Sequence, residues 1–231
     1  MHIKLTACSV STPCVGSLIA LLLVSLGACT NTTIDEYRKQ EFEFSSDKSI
    51  VIIGRRHASD YETEPWIISC IGKQIAAGNS GIDVITEQDF MNELYPWFEP
   101  RTAPMQPQRL KRLLQDKVIA DKVVGLGVQY IVWVDGSTQR TDSAGSISCA
   151  IGPGGAGCLG FGTWDDDSSY TVSIWDIEEP SSVAEISANA EGTSFMPAII
   201  VPVPLIARVK TSVCNGVADQ IKAMFPSPPA G

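Results

Sequence analysis

The residues best equipped for chemistry follow the first apolar run of the chain: Arg55, Arg56 and His57, then Asp60, Glu62 and Glu64. An imidazole near carboxylates can exchange protons, and paired guanidinium groups can hold an anion. Open-sheet enzymes often place reacting groups in the loop directly after a strand. Once residues 1–28 are set aside, His57 is the only histidine left, so a multi-histidine metal site is excluded. Any Ser-His-Asp or Cys-His machinery has to use it. An envelope enzyme with His57 and Glu62 or Asp60 as acid and base is one expectation. The alternative is a solvated loop whose charges pair among themselves, as such runs more often do.

Other groupings carry less. Asp165-Asp166-Asp167 lacks the spaced ligands of a calcium loop, and consecutive side chains diverge, so a solvated turn before a strand is expected. Gly155, Gly157 and Gly160 spell G-x-G-x-x-G, but no helix opens there and no Lys or Arg is near, which argues against a nucleotide. The stretch reads instead as a hairpin turning at Pro153-Gly154, whose mirror register sets Cys149 opposite Cys158 for a cross-strand disulfide. Its arms, Ser146–Ile151 and Cys158–Thr163, fall short of the ~9–11 residues of a membrane-crossing strand, so a pore from this hairpin alone is disfavoured. Leu159, Phe161 and Trp164 are expected to face a partner. Nothing in the sequence calls for a cofactor.

Arg101, Arg109, Lys111, Arg112, Lys117 and Lys122 lie close together beyond Trp97 and Phe98. They suggest a basic-aromatic surface for an acidic partner, lipid headgroups or glycan phosphate. The competing reading is a solvent-facing helix over buried aromatics.

The N-terminus supplies an address. Lys4 precedes an apolar stretch, Val15 to Leu26, of signal-peptide length and too short to span as a helix. Leu26-Gly27-Ala28-Cys29 resembles the bacterial lipobox, which implies cleavage before Cys29 and acylation of its thiol. Two or three chains anchor stably at ~0.8 kcal/mol per buried methylene. Thr30 stands where that pattern places Asp for inner-membrane retention, so the resemblance implies the outer membrane, facing the periplasm. Of 17 basic residues only Lys4 leaves with the signal, so 16 remain against 26 acidic, a net charge of −10. Such a body is unsuited to general nucleic-acid binding. Four of the seven cysteines remain for bridges in an oxidising compartment, Cys149 with Cys158 and Cys70 with Cys214, unless they are buried thiols.

The elements that must position these residues read as follows. Residues 29–48 have no apolar period and suggest a flexible tether. Ser49–Ile53 is a buried strand, and Pro65–Ile75 a helix. Ile82–Ile85 is a second strand, followed by a helix capped by Thr86 with Asp89. After the Pro96–Pro107 loop come helices over Arg109–Gln115 and Lys117–Leu126, ending at Gly127. Val128–Val134, Tyr170–Ile177 and Val183–Ala190 are strands, and Ile206–Phe225 an amphipathic helix. Prolines at 197, 202 and 204 break the apolar run Phe195–Ala207. The expectation is one α+β (or α/β) domain over 49–226, with a mixed sheet covered by helices in the order β-α-β-α-α-β-β-β-α. A disordered tail, 227–231, would follow. The two cysteine-bearing helices on one sheet face would let Cys70 meet Cys214.

This order, with Leu126-Gly127 leading into Val128-Gln129-Tyr130-Ile131-Val132-Trp133-Val134, resembles the periplasmic domain of the curli-secretion lipoprotein and the lipoprotein activator of penicillin-binding proteins. The resemblance covers about residues 49–225. It implies a scaffold, activator or channel subunit that works through protein contacts, with a protein partner in the envelope, the membrane reached through lipid, and possible homo-oligomers. Phe195–Leu205 would then lie in a membrane or a subunit interface.

Overall fold

The structure, a computed structural model, describes residues 2–7, 30–41, 43–45, 47–55, 63–77, 81–99, 102–153 and 155–225. In chain order the elements are β1 (His2–Ala7), β2 (Thr30–Arg38), β3 (Ser49–Gly54), α1 (Pro65–Ala76), β4 (Asp83–Ile85), α2 (Glu87–Glu93), α3 (Pro107–Leu114) and α4 (Lys117–Gly125). Three long strands follow, β5 (Val128–Gly152), β6 (Gly155–Asp176) and β7 (Ser181–Pro202), and then α5 (Val209–Met224). One seven-stranded sheet runs β1-β2-β7-β6-β5-β3-β4. β3 pairs parallel with β4 and β5, and the remaining pairs are antiparallel. The fold is α+β, as the element order suggested, with the three expected helices between β4 and β5 and with two strands, β1 and β2, that the expected order lacked.

Local chemistry explains the helix boundaries. Pro65 opens α1, where its missing N–H costs nothing. Thr86 Oγ1 accepts the Asp89 N–H at 3.2 Å, and Asp116 Oδ1 accepts the Val118 N–H at 2.9 Å. Gly127, at φ 77°, ends the helical region, and its carbonyl accepts the Ser49 N–H at 2.9 Å, tying the turn to β3.

Helices cover both faces of the sheet. On one, Ile67 and Ile71 of α1 and Val213, Val217 and Ile221 of α5 pack on Ile50, Tyr130, Val172 and Ile186. On the other, Phe90, Leu110 and Ile119 from α2, α3 and α4 cover Val51, Ile53, Ile131 and Trp133. A strand contributing to both cores reads as a continuous apolar run, which Ser49–Ile53 and Val128–Val134 do.

Three expectations are corrected. The tether begins too early, because Thr30–Arg38 is a strand paired along its whole length with β7, with Ile34 buried beneath α5. The last three strands extend far past their apolar segments. β5 and β6 stay paired from Tyr130↔Asp176 to Gly152↔Gly155, with one register shift between Arg140 and Asp142, so the hairpin arms are much longer than the six residues expected. Asp165, Asp166 and Asp167 consequently lie inside β6 and not in a turn. Beyond the segments paired to β2 and β3, only β5, β6 and β7 continue, as a three-stranded arm leaving the helix-covered body. Residues 8–29 and 226–231, which include most of the expected signal and the expected tail, lie outside the described residues.

Candidate functional site

His57 and Glu62 lie outside the described residues, as do Arg56, Asp60, Arg101 and Cys29. The flanks of the His57 loop are engaged across the fold. Arg55 Nη1 donates to Asp135 Oδ2 at 2.6 Å, and Glu64 accepts from Lys210 Nζ at 2.6 Å and from the Tyr170 hydroxyl. These charges pair with distant elements, not with one another. Among the described residues no group of three His, Cys, Asp or Glu side chains could hold a metal ion.

Both expected disulfides are present. Cys70 of α1 joins Cys214 of α5, and Cys149 joins Cys158 directly across the arm. The Trp97–Phe98 surface is corrected: Phe98 is 3% exposed and packs edge-on against Phe90 at 5.1 Å. Trp97 is half-buried on the same core with Lys122 5.8 Å above its ring, so this aromatic pair anchors a loop. Phe161 and Trp164, three residues apart on one strand, occupy opposite faces of the arm. Phe161 is half-exposed beside Phe195 at 6.2 Å. Trp164 donates to Asp166 at 3.1 Å beneath the Arg140 guanidinium.

What the sequence left scattered is the charge pattern of the arm. Residues 143–164 contain no Asp, Glu, Lys, Arg or His, nor do residues 192–207. Register brings the limits of both segments to one level. Arg140 pairs with Asp166, Asp166 with Gly192 and Gly192 with Thr30, one row across four strands. Asp142, Asp165 and Thr193 form the next row outward. Beyond this collar the tip is apolar and open to solvent, with Ile151 89%, Ile199 75% and Leu159 73% exposed. Eight of the thirteen large exposed hydrophobic side chains among the described residues lie in these two segments, so the apolar surface is concentrated there. At the end of β7 the chain folds back, Phe195 and Leu205 exchanging backbone hydrogen bonds at 2.9 and 2.7 Å.

A cleft of about 560 Å³ lies at the arm base. Its walls are Trp66 at the start of α1, Arg140 and Asp166 of the collar, and Ile206, Arg208 and Lys210 leading into α5. No sequence signal could have assembled it, because its parts lie on four elements brought together only by the sheet.

No protein-family model matches the sequence, and neither does any curated protein. Two solved structures are similar in shape, both of PelC from Paraburkholderia phytofirmans described as dodecamers. One, a point variant, is 9% identical at a TM-score of 0.42, covering 85% of this chain and 99% of that one. The other is 11% identical at the same TM-score and the same coverage.

Proposed function

We propose that the chain is a lipid-anchored cell-envelope protein, acylated on Cys29, which acts by contact and not by catalysis, its partner being further copies of itself joined through the arm at a membrane. The row Thr30–Gly192–Asp166–Arg140 carries this reading. β2 begins at Thr30, in the collar row, and runs from there away from the arm. Cys29 precedes Thr30 in the sequence, so lipid on it would be joined to the chain one residue from the row where the uncharged tip begins. The anchor holds the body close, without the long tether expected from the sequence.

Each strand of the tip, roughly Ser143–Gly152, Gly155–Trp164 and Thr193–Pro202, has about the ~9–11 residues that cross a bilayer when tilted. A lone three-stranded sheet cannot stay there, since unpaired edge N–H and C=O groups cost several kcal/mol each in hydrocarbon. Pairing between the β5 edge of one copy and the fold-back beside β7 of the next removes those edges. This favours an oligomeric outer-membrane assembly facing the periplasm, the subunit role that the family resemblance implies, over a monomeric scaffold or activator.

The test is the mass of the acylated protein extracted in detergent, measured by light scattering after gel filtration. A closed multiple of the subunit mass is expected, together with loss of the acyl mass in Cys29→Ser. A protein that stays monomeric both in detergent and in lipid nanodiscs would overturn the reading.

A further inference from the structure

From the cleft at the arm base we infer a binding site for the phosphate headgroup of an anionic phospholipid, which fixes how deep the arm sits. The inference rests on the membrane reading of the arm for its level, and on the cleft for its chemistry. Its charged walls lie at the limits of the uncharged segments: Arg208 bounds one of them, and Arg140 and Asp166 stand within three residues of the other. Arg140 and Asp166 stand in the collar row, and Arg208 directly follows residue 207. If the tip lies in hydrocarbon, these side chains lie among headgroups, where basic pockets with Trp neighbours hold anionic lipid.

The charge balance inside the cleft favours an anion. Lys210 is committed to Glu64 at 2.6 Å. Arg140 lies 3.5 Å from an Asp166 that also accepts from Trp164, and it is 59% exposed. Arg208 forms no ion pair among the described residues and is exposed, so its five donors can turn to a phosphate. Ile206, 58% exposed, and Trp66, 46% exposed, give apolar contact for the glycerol and upper acyl carbons. The rest of the molecule does the opposite: at the net charge of −10 left without residues 1–28, the chain is repelled by an anionic surface. Any preference for anionic lipid therefore has to come from a local site.

The experiment is native mass spectrometry of the acylated full-length protein, released from detergent after titration with phosphatidylglycerol or phosphatidylcholine. Phosphatidylglycerol should bind at least about fivefold more tightly. Arg208→Gln should remove about fivefold of that, the effect of one basic group near a lipid surface, and Arg140→Gln a comparable factor. Lys111→Gln, the same charge change on α3 across the sheet, should remove none. Equal binding of the two lipids, or equal loss in Lys111→Gln, would overturn the site. Displacement of phosphatidylglycerol by inorganic phosphate at equal concentration would overturn the lipid assignment. Amide exchange of residues 143–164 in phosphatidylcholine nanodiscs separates the two proposals. Unprotected arm amides alongside retained phosphatidylglycerol selectivity would sink the arm reading and leave the headgroup site standing. Protected amides without selectivity would do the reverse.

Discussion

Cys70 and Cys214 occupy equivalent places in two helices, each five residues beyond the first of its helix, and the bond between them sets α1 and α5 side by side with their starts at the same end. That end faces the cleft: Trp66 comes from one start, Val209 and Lys210 from the other. The bond spans 144 residues, nearly the whole body. Loop-closure entropy at that length predicts ~5 kcal/mol, of which measured disulfides commonly deliver about 2–4. Replacing both cysteines by Ala should lower the thermal midpoint by about 5–15 °C, read by circular dichroism. An unchanged midpoint would mean that packing alone aligns the helices.

The second disulfide should behave differently. Cys149–Cys158 closes a stretch of 9 residues within an arm that no helix covers. Its removal relaxes the tip without reaching the buried cores. Cys149→Ser with Cys158→Ser is expected to leave the main unfolding transition within ~0.5 kcal/mol, while proteolysis near residues 147–160 accelerates several-fold. A large shift of the main transition would show that arm and body unfold as one unit.

Gly136 lies where β5 runs on past its last pairing with β3, beside Tyr170 of β6. Its φ is +149°, and an added Cβ would lie 2.2 Å from the Ser169 carbonyl oxygen and 2.6 Å from Tyr170 Cα. Both neighbours are backbone of the adjacent strand, so neither can turn aside. Gly136→Ala should cost ~3 kcal/mol or more and loosen the arm, measured by denaturant titration. Gly152→Ala, with open space around it, serves as the contrast and should be nearly silent.

Tyr130 should resist ionisation. Burial, reinforced by the charges of Asp176, Glu178 and Glu43, pushes its pKa up to about 12, against a partial offset from Gln129. Its hydroxyl donates to the Glu43 carbonyl at 2.8 Å. Since the folded value exceeds the unfolded one near ~10, this group's contribution is complete below about pH 10 and lost as pH rises toward about 12. Denaturant titration at a series of pH values should show that Tyr130→Phe flattens the loss of stability above about pH 10.

The body was largely legible because apolar periodicity and capping chemistry agree there. Thr86 with Asp89, Pro65 and Gly127 announced helix limits, and Val128–Val134 announced a central strand. The arm was not, since its residues hold strand geometry through pairing alone. Thr138 to Ser146 and Asp165 to Ser169 are polar or small, with little intrinsic preference for a strand, and their register is imposed by neighbours. Thr30–Arg38 was hidden for the same reason, as the inward face of its alternation is made by Thr30, Thr32 and Ile34, of which only Ile34 is apolar. Phe98 misled in the opposite direction, because an aromatic in a proline-rich loop reads as exposed until Phe90 is placed behind it.

Leu159 and Ile199 face each other directly across β6 and β7, both about three-quarters exposed, and no element of the body approaches them. Their apolar surface therefore contributes little to folding, and charge can be introduced there without opening a core. Leu159→Lys with Ile199→Lys should leave the thermal midpoint of the detergent-free protein within a degree or two. If the tip crosses a bilayer as part of a shared barrel, each lysine on its lipid face costs ~2–4 kcal/mol near the midplane, enough to disfavour insertion by more than about a hundredfold for the pair. An acylated protein stays with the membrane whether or not its arm inserts, so oligomeric state is the measurement that separates tethering from insertion. The double variant should stay membrane-bound through Cys29 but run as a monomer in detergent. Val118→Lys, at an open apolar position on α4, should assemble normally. Full assembly of the Leu159/Ile199 variant would remove the tip from the contact surface and leave the arm without the role assigned to it.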